Sequence, residues 1–194
     1  MCYTVTSIYA VKIPERLDNN NGRREHKAGR MLLNYGLREM YGLEPDDGLV
    51  EQGPSGKPHL VNYPKIHFNI SHSGGYAVCA IGPEPVGVDI EFWRALDYGR
   101  LAGKAFAEEE KKELESSCDP QRFFFDRWVE KESYLKWKGT GITRDMKEID
   151  CLDGWNCHFE LSEGCSCAIW SEKPMKLKIC NIDYYELFED DRMQ

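Results

Sequence analysis

The sequence predicts an α+β fold of two similar halves, each a helix packed on antiparallel strands, in a pseudo-two-fold arrangement. Three observations carry this. Apolar residues recur at helical spacing in two long stretches, 23–41 and 120–138. Short runs rich in β-branched and aromatic residues, punctuated by Gly, Pro and Asn, fill most of the remainder. The order of helix and strands in residues 1–92 returns in residues 93–194, although no sequence repeat aligns the two. The boundary falls near Phe92 to Tyr98, and the cleft between the halves is the expected place for a site.

Cys2 to Val11 alternates and carries Thr, Val, Ile and Tyr, as a strand does. Pro14 to Gly22 is a polar loop. Arg23 to Tyr41 is a helix with Ala28, Met31, Leu32, Tyr35 and Leu37 on its apolar stripe and Gly42 as its stop. Leu49 to Leu60 is strand, turn and strand, broken by Gly53-Pro54-Ser55-Gly56. Ile66–Ile70, Tyr76–Ile81 and Val86–Ile90 are short strands, expected to form an antiparallel meander. Ala107 to Ser116 is a helix whose Glu108, Glu109 and Glu110 suit its N-terminus. Asp119-Pro120 starts the long helix, with proline at the permissive first position, and Gly139 and Gly141 end it. Trp155–Leu161, Cys167–Trp170 and Leu177–Ile182 are the closing strands.

A length of 194 residues is long for one minimal domain and short for two independent ones. No segment approaches the roughly 18 uninterrupted apolar residues of a membrane helix. Met1 to Val5 lacks the basic start and apolar run of a secretory signal, so a cytoplasmic location is expected. The eight cysteines are scattered, and most lie in predicted strands or helices, as small buried hydrophobes of a reducing compartment do. A net charge of −8 argues against a nucleic-acid binder. Basic residues still cluster: Arg23, Arg24, Lys27 and Arg30 share one predicted helix, and Lys173, Lys176 and Lys178 lie near the end. The first group reads either as a solvated face or as a face for an anionic small molecule.

Chemistry concentrates in Phe68–Gly75, Gly87–Glu91 and Trp128–Gly141. In the strand from Val86 to Glu91, alternation sends Val86, Val88 and Ile90 one way and Gly87, Asp89 and Glu91 the other. Two carboxylates on one strand face stand about 6.6 Å apart, close enough to share a cation. Hard oxygen ligands suit magnesium, which completes its shell with water and substrate phosphates. A solvated acidic edge is the plainer alternative. Glu132 shares a helical face with Phe125, Trp128, Val129 and Leu135, and an ionised carboxylate there is costly unless paired or metal-bound. Lys136, one turn on, is its candidate structural partner. Ser71 and His72 offer side-chain donors beside Ser73-Gly74-Gly75, whose glycines let backbone amides approach an anion. Lys57 presents a cation from a proline-stiffened turn.

Gly56-Lys57-Pro58, then Phe68–Gly74 (FNISHSG), Gly87–Glu91 (GVDIE) and Trp128–Gly141 (WVEKESYLKWKGTG), in this order, resemble the 4′-phosphopantetheinyl transferase superfamily. The likeness is to its larger monomeric Sfp type, and the motifs span a little under half of the chain. Arg30-Met31-Leu32-Leu33 is a softer match. The resemblance implies the fold of that superfamily and magnesium-dependent transfer of 4′-phosphopantetheine from coenzyme A to a serine of an apo acyl or peptidyl carrier protein. It implies magnesium ligands at Asp89, Glu91 and Glu132. It implies coenzyme A phosphate contacts at Lys57, Ser71, His72 and Arg30, with Lys136 on the transferring phosphate. Glu132 would help to deprotonate the incoming serine, His72 and Lys136 would serve the chemical step, and Glu110 matches an acid near the site. Glu51 and Gln52 stand where the family often has a basic residue, and Met31 where it often has a small hydroxyl residue. The alternatives are a non-catalytic coenzyme A or nucleotide module, a magnesium-dependent phosphohydrolase, and a zinc module on Cys151, Cys157, Cys165 and Cys167, whose spacing suits zinc poorly.

Overall fold

A computed structural model of the chain describes residues 4–15, 22–44, 50–140, 146–149 and 154–189. Its elements are β1 (Val5–Lys12), α1 (Arg23–Tyr41), β2 (Val50–Gln52), β3 (Pro58–Leu60), β4 (His67–Ser73), β5 (Tyr76–Gly82), β6 (Val86–Phe92), α2 (Tyr98–Ala105), α3 (Glu108–Ser116), α4 (Pro120–Lys138), β7 (Trp155–His158), β8 (Cys165–Ser171), β9 (Lys176–Ile182) and α5 (Tyr184–Glu189). The expected α+β class is borne out. Gly141 and Cys151 lie outside the described residues.

Two sheets stack face to face, ordered β4-β5-β1-β9 and β6-β8-β7, with β2 and β3 a separate hairpin. β1 explains the stacking. Six of its eight positions are buried, because Tyr9 and Val11 pack toward α1 while Ile8 and Ala10 meet Val86, Val88, Ile90 and Ile169 of the second sheet. A strand covered on both faces reads as a continuous apolar run. α4 lies on the outer face of the second sheet with α2 and α3 around it, and their aromatic cluster includes Phe106, Phe124, Phe125 and Trp170. The layers therefore run α1, first sheet, second sheet, α4.

Both long helices have the expected bounds. Gly42 and Gly139 end them with φ of 64° and 70°, and Asp119 caps α4 by accepting from Arg122 N at 3.0 Å. α2 arises just past the expected hinge, capped by Asp97, and is an element the sequence reading lacked. The expected meander is corrected. β4 and β5 do pair, but β6 pairs with β8, and β9 pairs in parallel with β1. Strands on either side of residue 92 are thus exchanged between the sheets. The period-2 pattern of Val86, Val88 and Ile90 is satisfied equally by edge pairing and by face-to-face packing, so it could not distinguish them.

The β4–β5 turn is Gly74-Gly75, and β4 continues through Ser73. Both glycines have positive φ, 59° and 77°, as a two-residue hairpin of this hand requires, and a Cβ on Gly74 would strike the Phe92 ring at 2.4 Å.

Candidate functional site

β4 and β6 are the facing edges of the two sheets, and their contact builds the site. Side chains of β4 alternate: Phe68 and Ile70 pack on the α1 side, while Asn69, Ser71 and Ser73 face β6. As an edge, β6 has backbone N–H groups that no strand accepts. Asn69 Oδ1 accepts from Val88 N at 2.8 Å, Ser71 Oγ from Ile90 N at 3.4 Å, and Ser73 Oγ from Phe92 N at 3.2 Å. Three side chains at a spacing of two replace a missing strand.

α4 crosses β6 at Gly87, where a Cβ would sit 2.0 Å from Ser133 O and 2.3 Å from Trp137 N. Only glycine allows backbone to lie on backbone here. That contact sets Glu132 and Lys136 beside Asp89. Lys136 Nζ donates to Asp89 Oδ1 at 2.6 Å and to Ser71 Oγ at 2.9 Å, and Ser71 Oγ donates to Asp89 Oδ1 at 2.8 Å. Asp89 is buried, which raises its pKa, while Lys136 and Ser71 oppose the rise. Glu91 Oε2 accepts from Ser73 Oγ at 2.9 Å and from Arg94 Nη1 at 2.8 Å. Glu132 makes no hydrogen bond among the described residues, and burial, then the charge of Asp89, raises its pKa, with Glu91 adding to the rise and Lys136 opposing it. The structural alternative of a Glu132–Lys136 pair is not what forms: the lysine goes to Asp89.

Whether these residues suit a divalent cation can be judged from their free oxygens. The donors to Asp89 fall on Oδ1 and those to Glu91 on Oε2, so each carboxylate keeps an oxygen with no hydrogen bond among the described residues. Three mutually repelling carboxylates with such oxygens are a donor set that suits a hard cation. Their side chains do not already converge: among the described residues no group of three or more His, Cys, Asp or Glu is arranged to hold a metal ion. Lys136 at Asp89 and Arg94 at Glu91 supply the local positive charge.

Lys57 lines the same cavity of about 270 Å³ as Asn69, Glu132, Lys136 and Gly139, so that both halves of the chain contribute. Its ammonium donates to Val86 O at 3.0 Å and Trp137 O at 3.1 Å, tying the 55–58 turn to β6 and the end of α4, and burial lowers its pKa to about 8. His72 lies on the opposite face of β4 from Ser71. Its Nδ1 is 3.1 Å from Glu25 Oε2 on α1, and Glu25 Oε1 also accepts from Gly75 N at 2.6 Å. Arg30 stands on α1, half-buried. Glu110 is structural: it accepts from Ala107 N at 2.8 Å and pairs at 2.9 Å with Lys131, which is fully buried and also donates to Met146 O. Met31 is packed in the core, and Glu51 and Gln52 are exposed on β2.

Asp89, Ser71 and Lys136 thus touch directly, Glu91 and Glu132 are linked to them electrostatically, and Lys57 closes the cavity. His72 and Arg30 belong to the α1 side. Sequence reasoning missed Asn69, Ser73 and Glu25. The first two had a legible signal, since period 2 in Asn69-Ile70-Ser71-His72-Ser73 puts three polar residues on one face.

Residues 85–179, from the start of β6 into β9, match the model of the 4′-phosphopantetheinyl transferase superfamily. A 4′-phosphopantetheinyl transferase of Bacillus subtilis is 31% identical over 162 residues, covering 78% of this chain and 71% of the relative. One from Bacillus pumilus is 35% identical over 123 residues, covering 62% and 52%. The transferase HetI of a Nostoc species is 36% identical over 135 residues, covering 66% and 56%. Apart from the first, the aligned part spans only about half the length of these relatives. The resemblance expected from the motifs is borne out. No helix among the described residues is long and apolar enough to cross a membrane.

Proposed function

We propose, from the premise that this chain belongs to the 4′-phosphopantetheinyl transferase superfamily, that it moves 4′-phosphopantetheine from coenzyme A to a serine of an apo acyl or peptidyl carrier protein. The serine oxygen would attack the β-phosphorus of coenzyme A. The bond from that phosphorus to the nucleotide breaks, its electrons leave with adenosine 3′,5′-bisphosphate, and the serine proton passes to a base. One observation carries the reading above all: a buried carboxylate, a serine and a lysine in mutual contact, with two further carboxylates in electrostatic reach.

Asp89, Glu91 and Glu132 would hold magnesium, whose charge offsets that of the phosphoryl oxygens. The chain's own groups do the rest. Glu132, directly or through a water on the metal, would help to take the proton of the incoming serine. Lys136, released from Asp89 toward the transferring phosphate, would neutralise charge there. An ammonium has three donors, so Lys57 keeps one beyond its two carbonyls for a phosphate in the cavity. Ser71, His72 and Arg30 would take the remaining phosphates of coenzyme A. The site would lie in the cleft between halves 1–92 and 93–194. A monomer fits this reading, because both walls of the cavity come from one chain. Light scattering that gave a trimer would oppose it.

The alternative is a non-catalytic coenzyme A module of the same fold, which would be expected to lack a metal carboxylate or Lys136, and both are retained. Incubation with coenzyme A, magnesium and several apo carriers, read by intact mass, separates the two. A carrier that gains the mass of phosphopantetheine supports transfer; no gain on any carrier, with coenzyme A still bound, supports the module.

A further inference from the structure

We infer that Ser73 is a positioning residue for Glu91, aiming its carboxylate with a hydroxyl whose direction the backbone of Phe92 dictates. The inference rests on the proposal that Glu91 is a cation ligand. Phe92 N lies 3.2 Å from Ser73 Oγ, and Ser73 Oγ lies 2.9 Å from Glu91 Oε2. An N–H can only donate, so Ser73 Oγ accepts from Phe92 and its own proton must point to the carboxylate. Arg94 Nη1 donates to the same oxygen at 2.8 Å. Two donors on Oε2 fix the carboxyl group and leave Oε1 without a hydrogen bond among the described residues.

The same device operates two residues earlier. Ser71 Oγ accepts from Ile90 N and from Lys136 Nζ, so its proton goes to Asp89 Oδ1. The side chains at i and i+2 of β4 therefore aim those at i and i+2 of β6, in matched register. At Ser71 the lysine shares the task. At Ser73 the other donor is Arg94, whose side chain is 57% exposed, so Ser73 is the better-ordered half of the clamp. Outer-shell partners that orient a ligand typically change metal affinity about 10- to 100-fold when removed. A serine that served only to satisfy the free N–H of a strand edge would change stability alone.

Binding of Mn2+ to the full chain, followed by electron paramagnetic resonance, tests this without reference to turnover. Wild type, Ser73→Ala, Ser73→Thr and Asp89→Ala are compared, with folding checked by circular dichroism. Ser73→Ala should bind about 10-fold more weakly. Ser73→Thr, which keeps the hydroxyl, should stay within about twofold of wild type, and Asp89→Ala should lose the site. Ser73→Ala within about twofold of wild type beside a dead Asp89→Ala overturns the positioning role and leaves the metal reading standing. Ser73→Thr as weak as Ser73→Ala overturns it as well. No saturable Mn2+ binding by wild type removes the metal reading and this inference with it. If Ser73→Ala does not fold, Ser73→Cys takes its place: as a weaker donor it should also weaken binding, and unchanged affinity overturns the role.

Discussion

Lys136 Nζ lies 2.6 Å from Asp89 Oδ1 on a neighbouring strand, rather than against Glu132 one turn before it on its own helix. The choice follows from burial. Asp89 is 5% exposed, and an ionised carboxylate so enclosed gains more from a counter-charge than the more accessible Glu132 does. The cost of this arrangement is local repulsion among Asp89, Glu91 and Glu132.

Replacing Lys136 with methionine should expose that cost. Burial raises the pKa of Asp89 despite Lys136. A raised carboxylate favours the fold most at pH below its ordinary value, and that contribution is lost as pH rises through the raised one. Without Lys136 the loss deepens, so Lys136→Met should destabilise the protein by about 1–3 kcal/mol at pH 7 and by clearly less near pH 4. Urea unfolding at the two pH values measures this; equal effects at both would mean that the ion pair is not the cause.

Glu132→Gln separates chemistry from stability. It removes a carboxylate that is repelled and makes no hydrogen bond among the described residues, so the thermal midpoint should hold or rise. Turnover should fall about 100- to 1000-fold if the charge acts on the transition state. Turnover within about threefold of the parent at saturating magnesium, under roughly 0.7 kcal/mol, would remove Glu132 from the site.

Two glycines should respond oppositely to alanine. At Gly87 the added Cβ meets backbone of α4 on which the site depends, and overpacking of this kind costs about 1–3 kcal/mol or more. At Gly103, inside α2, nothing lies within 4 Å of an added Cβ, so the helix should gain up to about 1 kcal/mol. Denaturant midpoints of the two variants test the pair; a neutral Gly87→Ala would contradict the close crossing of α4 over β6.

A pH dependence should also come from His158, whose Nε2 is 2.8 Å from Glu130 Oε1. The hydrogen bond to Glu130 raises the pKa of His158 against the effect of burial. Its stabilising contribution is therefore full below the ordinary histidine value of about 6.5 and is lost as pH rises through the raised one. His158→Asn should narrow the difference in thermal midpoint between pH 6 and pH 9. An unchanged difference would show that the pair does not titrate in this window.

Features that depend on near neighbours along the chain were legible from residue order alone. Residue spacing and capping chemistry specified α1 and α4, with their glycine stops, and strand alternation put Asp89 and Glu91 on one face opposite Val88 and Ile90. Ordered motifs pointed to the family. Tertiary structure decided what alternation leaves open: that β6 leaves β5 for β8, that the face of Ser71 meets β6 while that of His72 meets α1, and that Lys136 serves Asp89. The physical reason is that a period of two or 3.6 residues fixes which side chains share a face but not what covers that face. Here the cover was chosen by the apolar demand of β1 on both sides, by the close approach that Gly87 permits, and by the need of a buried carboxylate for a cation.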